Sequence, residues 1–431
     1  MAGWQSVTTD VANDGTSSWL VRGVRIFDTS GELGPVVDIA VADGVISDID
    51  QALEPVPGTE ILDATGLVAV PSLVDIHVHS ARESDIAAYA KAGIRHIRFA
   101  GLDVATVRTA RAQTTVDSAW PLGISSCGPM LDSVEPAYPE WTTVVRSPRE
   151  AADAARSLIS SGEVDALIVT QGAPQSFISA IVNEAHAAGL PVVGQVWAAD
   201  GIEASLAGID QLDNSSRVFA SRTVSQEEML AYKSVGERLA TWARAWADVD
   251  WPSTERILDA MVDNGVTYCP TLVAHEFQAG YGEDIVRRDP RWESWFDESD
   301  LLAYKAFRAL IEDGWAEQTR IDMARSIESR LEWIRRFRAR GGKVVVGTDM
   351  PFGGLTIVRE LELLMQSGMT GSEAIYAATQ GAAEALGNAG FVASIAVGAE
   401  ASFLLTVGNP GLDITTLRRP QRVFLKGRKT Y

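Results

Sequence analysis

Eight short apolar runs recur along the middle of this chain, and helix-like stretches separate most of them. Apolar runs of this length are typical of buried strands, whereas Ile357, Leu361 and Leu364 follow the i, i+4, i+7 spacing of a helix. Strands that alternate with helices favour a parallel sheet, and eight such units favour an α/β fold of the (β/α)8 barrel type. The runs cover residues 73–79, 94–100, 123–127, 166–170, 191–197, 209–214, 266–273 and 344–349.

Both ends of the chain are rich in β-forming residues. Residues 19–27 and 36–49 are rich in β-forming residues, the second run has an Asp43-Gly44 turn, and residues 402–407 and 422–426 form similar runs. Such strands need a second layer to bury their apolar face. The sequence therefore predicts a loose leader at 1–17, a small β-sandwich domain from 18–67 plus 390–431, and a catalytic barrel over 68–389.

The charge of the chain limits the partners that it can be expected to bind, and its few cysteines bear on the compartment in which it is expected. The chain has 37 basic and 57 acidic residues, a net charge of −20, which argues against nucleic acid and anionic membranes. No apolar run approaches membrane-spanning length, and residues 1–18 lack the pattern of a secretion signal. Cys127 and Cys269 are predicted to be reduced, buried thiols. We expect a cytoplasmic protein that acts on a small molecule, as a monomer or a homo-oligomer.

A His-x-His pair ends the first of the eight runs. In a strand, residues two apart point to the same face, so His77 and His79 are predicted to point together into the barrel. Two imidazoles must converge in this way to share a metal ion. The alternative is a pair of core histidines that are satisfied by hydrogen bonds.

An aspartate ends the last run, and a loop rich in glycine and proline follows it. Asp349 is therefore expected at the carboxyl end of a strand, where barrels carry their chemistry. It could ligate a metal or act as a general base toward water. The alternative is an N-cap for the helix that is expected to begin near Leu355.

Four further residues are candidates for the site. His275 follows the seventh run, and a period of two would turn it toward the barrel mouth as an acid or base; an ordinary loop histidine is the alternative. Trp197 would share an inward face with Gln195, although it could equally be a core residue. Gln171 and Asn214 are expected to form hydrogen bonds with a polar substrate.

Two of these motifs carry a resemblance to a known family. The run VAVPSLVDIHVH at 68–79 resembles the opening strand of the amidohydrolase superfamily, and GTDMP at 347–351 resembles its closing strand. With GVTYCPTL at 265–272, they look like the prolidase-like and imidazolonepropionase-like branch. The resemblance implies metal ligands from a His-x-His pair, a carboxylated lysine on strand four, histidines on strands five and six, and an aspartate on strand eight.

This chain departs from that pattern at three positions. Ile168 stands in the place of the lysine, Gln195 in that of the first histidine and Asn214 in that of the second. The resemblance then implies a degenerate site in which His77, His79 and Asp349 hold at most one ion. Gln195 could add its carbonyl oxygen, whereas Ile168 makes the pocket less suited to a cation.

Three functions fit these residues. The first is a hydrolase that uses one zinc-like ion to cleave an amide, lactam, lactone or related bond. The second is a metal-independent cyclase, lyase or isomerase in which His77, His79 and Asp349 transfer protons. The third is a non-catalytic protein that binds a small molecule. Gln195, Asn214, Trp197 and Gln171 are the predicted substrate contacts in each case.

Overall fold

The computed structural model describes residues 18–28, 30–133, 136, 138–214, 216–231, 234–281, 289, 291–312, 315–387 and 393–430. The predicted leader at 1–17 lies outside the described residues, and the proposed domain boundaries stay predictions. None of the helices in the described ranges is both long and apolar enough to span a bilayer.

One eight-stranded sheet combines strands from the two ends of the chain, as the sequence predicts. Its path is β17-β16-β15-β5-β1-β2-β3, with β4 paired to β1. Because these strands form one connected sheet, the two-layered sandwich itself stays a prediction. The strands are β1 (Trp19–Phe27), β2 (Leu33–Ala42), β3 (Val45–Asp50), β4 (Glu60–Asp63), β5 (Leu67–Pro71), β15 (Phe403–Val407), β16 (Arg422–Leu425) and β17 (Arg428–Lys429).

A shared apolar core holds the two ends together. Trp19 of β1 contacts Phe424 of β16 edge to face, with ring centroids 5.5 Å apart, and both side chains are buried. Asp43 and Gly44 have φ values of 51° and 79°, the left-handed pair that a tight hairpin between β2 and β3 requires. The hairpin turn predicted at this site is confirmed.

Seven of the eight predicted runs contain parallel strands. The sets β6-β7-β8 and β11-β12-β13-β14 pair in sequence order, and short strands β9 and β10 extend the second set. An α/β fold is therefore confirmed. The bounds are β6 (Leu73–Val78), β7 (Ile94–Phe99), β8 (Gly123–Ser126), β9 (Met130–Asp132), β10 (Thr142–Val144), β11 (Leu167–Gln171), β12 (Val192–Val196), β13 (Gln211–Asp213) and β14 (Thr267–Cys269).

The eighth run, residues 344–349, lies between β14 and β6. Val345 N donates to Tyr268 O at 3.0 Å, and on the other side Ile76 N donates to Val346 O at 3.1 Å. Asp349 N then donates to His77 O at 2.8 Å. These bonds bring the ends of the first and last runs side by side.

Helices connect the strands. The helix predicted at 370–373 begins with the expected capping box, because Thr370 and Glu373 each accept a hydrogen bond from the other's backbone N–H. The bounds are α1 (Glu83–Lys91), α2 (Val104–Gln113), α3 (Pro148–Ser160), α4 (Gln175–Ala187), α5 (Gly201–Leu206), α6 (Gln226–Leu230), α7 (Val235–Ala247), α8 (Trp251–Asp263), α9 (Leu272–Glu276), α10 (Trp292–Trp295), α11 (Glu298–Glu312), α12 (Glu317–Ala339), α13 (Gly353–Gln366), α14 (Gly371–Ala377) and α15 (Gln380–Ala385).

The seventh strand is shorter than the predicted run of residues 266–273. The strand ends at Cys269, Thr271 takes a left-handed φ of 46°, and α9 begins at the next residue. Glu360 of α13 stabilises this turn, since its carboxyl oxygens accept hydrogen bonds from Leu272 N at 2.9 Å and Val273 N at 2.6 Å.

Candidate functional site

The two histidines of β6 meet at the end of the strand. His77 is fully buried and His79 is partly exposed, and their Nε2 atoms lie 3.1 Å apart. The strand period therefore places both rings in one site, as predicted. This convergence makes the pair more than two independent core histidines.

Asp349 joins the histidines from the neighbouring run. Its Oδ1 atom lies 3.2 Å from His79 Nε2 and 3.8 Å from His77 Nε2. Asn214 donates from its side-chain amide to the other carboxylate oxygen, Oδ2. The N-cap alternative for Asp349 is wrong, because α13 begins only at Gly353 and its N-cap residue is Phe352.

The carboxylates around the histidines favour positive charge between them. Burial lowers the pKa of His77, but the hydrogen bond with Asp213 and the charges of Asp349 and Asp213 outweigh it and hold that pKa above its ordinary value. For Asp349, burial raises the pKa, while the hydrogen bond with His79 and the nearby histidine charges bring it below its ordinary value. The site is thus prepared for a proton or a metal ion.

The donor atoms fit a single metal ion. His77 Nε2, His79 Nε2 and Asp349 Oδ1 are separated by 3.1, 3.2 and 3.8 Å. Tetrahedral zinc with bonds of about 2.1 Å keeps its ligand atoms roughly 3.4 Å apart, which lies within this range. Among the described residues, two groups of His, Cys, Asp or Glu side chains lie close enough together to share an ion. Both groups include His77.

None of the three positions that depart from the family pattern carries an ionisable side chain. Ile168 is buried and packs in an apolar cluster with Cys127 and Val193. Gln195 Nε2 lies 3.0 Å from His77 Nε2, and Asn214 contacts Asp349. The side-chain amides of Gln195 and Asn214 therefore lie beside His77 and Asp349, in the places where the resemblance implied histidines.

A cavity of about 380 Å³ opens above these residues. Polar side chains line it together with aromatic and other apolar side chains, a mixture that is typical of small-molecule sites. The lining residues include His79, Met130, Tyr138, Trp141, Gln171, Gln195, Asn214, Arg238, Leu239, Trp242, Gln278, Tyr304, Asp349, Met350, Pro351 and Phe352.

The structure places most of the predicted site residues on this cavity, but not all of them. Gln171, Gln195 and Asn214 line it together with His79 and Asp349. Trp197 does not: it is buried behind the wall, with its ring 3.6 Å from that of Trp242, centroid to centroid.

His275 is also absent from the lining, so the prediction that it faces the mouth is wrong. It lies buried within α9, because the chain has already left the strand conformation at Thr271 and the period of two no longer applies. Burial and the charge of Arg330 place the pKa of His275 well below its ordinary value. An acid/base role in the cavity has no support from this position.

Asp213 is the main residue that sequence reasoning missed. It ends β13, is fully buried, and places Oδ2 2.8 Å from His77 Nδ1. An acid at the carboxyl end of a predicted strand was the available signal, but the family comparison drew attention to the adjacent Asn214. The two cysteines are buried and free, as predicted, and burial raises the pKa of Cys127 to about 12.

Comparison with known proteins supports the predicted resemblance. The sequence model of the amidohydrolase family matches residues 290–430, roughly a third of the chain. A dihydroorotase of Citrifermentans bemidjiense is 40% identical over 60 residues, which is 14% of this chain and 14% of that protein. The chain thus matches only a small part of this curated relative.

Solved structures share the fold over nearly the whole chain. A Xaa-Pro dipeptidase with methionine bound in its active site is 19% identical, with a TM-score of 0.69, and the match covers 96% of this chain and 99% of that one. The bottromycin amidohydrolase is 20% identical, with a TM-score of 0.68 and coverages of 96% and 86%. The predicted resemblance to the amidohydrolase superfamily is confirmed, and the family match supports an enzyme of the hydrolase class.

Proposed function

We propose that this chain is a hydrolase that cleaves an amide-type C–N bond in a small, largely apolar molecule at a single divalent ion. The observation that carries the proposal is the convergence of His77 Nε2, His79 Nε2 and Asp349 Oδ1, where His79 and Asp349 also line the cavity and His77 lies buried behind them. We further propose that the eight parallel runs form a closed (β/α)8 barrel, which the hydrogen bonds of residues 344–349 to β14 and β6 support.

The residues of the site have distinct roles in this proposal. A divalent ion bound by the three donors would polarise the scissile carbonyl and acidify a water molecule. Asn214 holds Asp349 Oδ2, so Oδ1 stays directed at the histidines. The carboxylate of Asp349 would accept the proton of the attacking water and return it to the leaving nitrogen as the C–N bond breaks.

The cavity supports an apolar substrate with a few polar groups. Gln171 and Gln195 line the cavity with side-chain amides that can form hydrogen bonds with the scissile amide. Trp141, Trp242 and Phe352 offer ring surface to an apolar or aromatic substituent. A dipeptidase and an amidohydrolase among the proteins that share this fold favour a C–N bond over the lactone alternative.

Metal analysis of untagged protein tests the proposal. We expect about one equivalent of zinc or a similar ion per chain, with activity on aromatic N-acyl amino acids lost after chelation and restored by added metal. His79→Ala and Asp349→Asn should each lower both metal content and turnover, whereas His186→Ala, at an exposed side chain, should lower neither. Full activity in metal-free protein would contradict the proposal.

A second candidate function is metal-independent acid/base catalysis. A continuous chain of polar contacts runs from Asp213 through His77 and His79 to Asp349, with separations of 2.8, 3.1 and 3.2 Å. His79 Nδ1 is buried and has no hydrogen-bond partner among the described residues. A ring that binds metal through Nε2 would leave an N–H there without an acceptor, whereas a ring that donates from Nε2 to Asp349 would not. Activity that survives chelation and fails in His79→Ala would favour this candidate.

A further inference from the structure

We infer that Asp213 is a positioning residue that fixes the tautomer of His77, so that the Nε2 lone pair faces His79 and Gln195. This inference rests on the proposed function for its purpose but not for its test. Asp213 Oδ2 lies 2.8 Å from His77 Nδ1, and the side chains of both residues are completely buried. At this depth no solvent competes for the contact.

The surroundings hold Asp213 in the orientation that this contact needs. Gln211 donates from its side-chain amide to Asp213 Oδ1, which leaves Oδ2 for His77. Arg98 places a guanidinium nitrogen 3.6 Å from Oδ2 and is itself fixed by a 2.9 Å hydrogen bond from Nε to Ile76 O. A buried carboxylate with such partners stays in place and accepts from a nearby N–H.

The contacts on the other side of the ring agree with this assignment. A neutral imidazole carries a proton on one nitrogen and a lone pair on the other. If Nδ1 donates to Asp213, Nε2 is the acceptor, and Gln195 Nε2 lies 3.0 Å away as its donor. A metal ion needs the same lone pair, and a carboxylate behind a ligating histidine is the usual way to present it.

Cys269 does not offer an equivalent partner. Its sulfur lies with His77 and Asp213 in a group whose donor atoms are within 4.8 Å of one another, and it is buried. A neutral thiol is a weak acceptor, so the carboxylate governs which nitrogen is protonated. Asp213 therefore acts on the site through His77 and lies outside the cavity lining itself.

Long-range ¹H–¹⁵N correlation spectra of the metal-free protein read the tautomer directly. The chain has five histidines, and the His77→Gln variant identifies the signals of His77. At a pH where the ring is neutral, we expect Nδ1–H in the wild type and a shift toward Nε2–H in Asp213→Ala. Asp213→Asn keeps one acceptor oxygen and should lie between the two.

The exposed ion pair of His186 and Asp210 supplies the matched control. Its His–Asp separation is 2.9 Å, yet both side chains are more than two-fifths exposed. Asp210→Ala should leave the signals of His77 unchanged. We also expect zinc affinity, measured by competition with a chelator, to fall about 10- to 100-fold in Asp213→Ala and to stay constant in Asp210→Ala.

Two results would overturn the inference. One is an Nε2–H tautomer of His77 in the wild type, which can be read even if every Asp213 variant fails to fold. The other is an unchanged tautomer in folded Asp213→Ala. Because neither reading requires metal or substrate, failure of this inference is distinguishable from failure of the proposed hydrolase.

Discussion

Ile168 places an apolar side chain where the resemblance implies a charged metal ligand. Its neighbours on β11, Leu167 and Val169, pack in the main apolar core, whereas Ile168 packs in a separate cluster. That cluster consists of Ala100, Cys127, Met130, Ala166, Ile168 and Val193, with Tyr138 against it. An apolar cluster at the position implied for a charged bridging ligand excludes that ligand by desolvation.

Ile168→Lys should therefore destabilise the protein instead of restoring a second metal site. A buried ammonium without a partner costs about 3–5 kcal/mol of unfolding free energy, whereas Ile168→Met conserves volume and should cost less than about 1.5 kcal/mol. Urea unfolding of the two variants measures the difference. Equal stability of the variants, or a second equivalent of bound metal in Ile168→Lys, would contradict the apolar character of this position.

Site residues at strand ends could be predicted from the sequence where the chain keeps its strand conformation up to that residue. His77, His79 and Asp349 follow from a period of two and from the rule that barrel chemistry sits at carboxyl ends, and the structure brings them together. For Asp213 the sequence offers only the signal of an acid at a strand end. Because Asn214 ends the same run, the three-dimensional contacts decide which side chain meets His77.

At the scale of elements, α9 shows where sequence reasoning stops. The apolar run at 266–273 reads as one strand, but a left-handed Thr271 converts its second half into a helix that Glu360 caps. Glu360 lies 88 residues further along the chain than Leu272, so no local pattern reveals the cap. The misplacement of His275 follows from that one turn.

Glu360 should make the stability of the protein depend on pH. Burial raises the pKa of Glu360 from 4.5 to about 8, against the opposing effect of its hydrogen bonds with Val273 and Leu272. The folded state then keeps a proton that the unfolded state releases, so this contribution is complete below about pH 4.5 and is lost as the pH rises toward 8. Its slope is at most about 1.4 kcal/mol per pH unit.

Glu360→Gln, which mimics the protonated acid, should remove this dependence. We expect the unfolding free energy of the wild type minus that of the variant to fall between pH 5 and 8 in urea titrations. Glu228→Gln in α6 is the control: hydrogen bonds with Ser225 and the charge of Arg244 outweigh burial and lower the pKa of Glu228, so its effect should stay constant over the same range. If the unfolding free energies of the wild type and of Glu360→Gln changed with pH in parallel, Glu360 would be ionised in the folded protein.

At the scale of the whole molecule, two hairpin turns from opposite ends of the chain pack against each other. Gly44 of the β2–β3 turn and Gly427 of the β16–β17 turn both have positive φ, and a Cβ at Gly427 would overlap the backbone of Gly44.

Gly427→Ala should therefore destabilise the protein by about 1–3 kcal/mol more than Gly58→Ala, because overpacking adds to the strain of the left-handed conformation. Gly58 is the matched control, since its φ of 89° is similar to the 78° of Gly427 but no atom lies within 4 Å of its added Cβ. Urea unfolding of both variants measures the difference. Equal losses would mean that the N-terminal hairpin and the C-terminal strands do not pack together in solution, and the single sheet built from both ends would then lose its support.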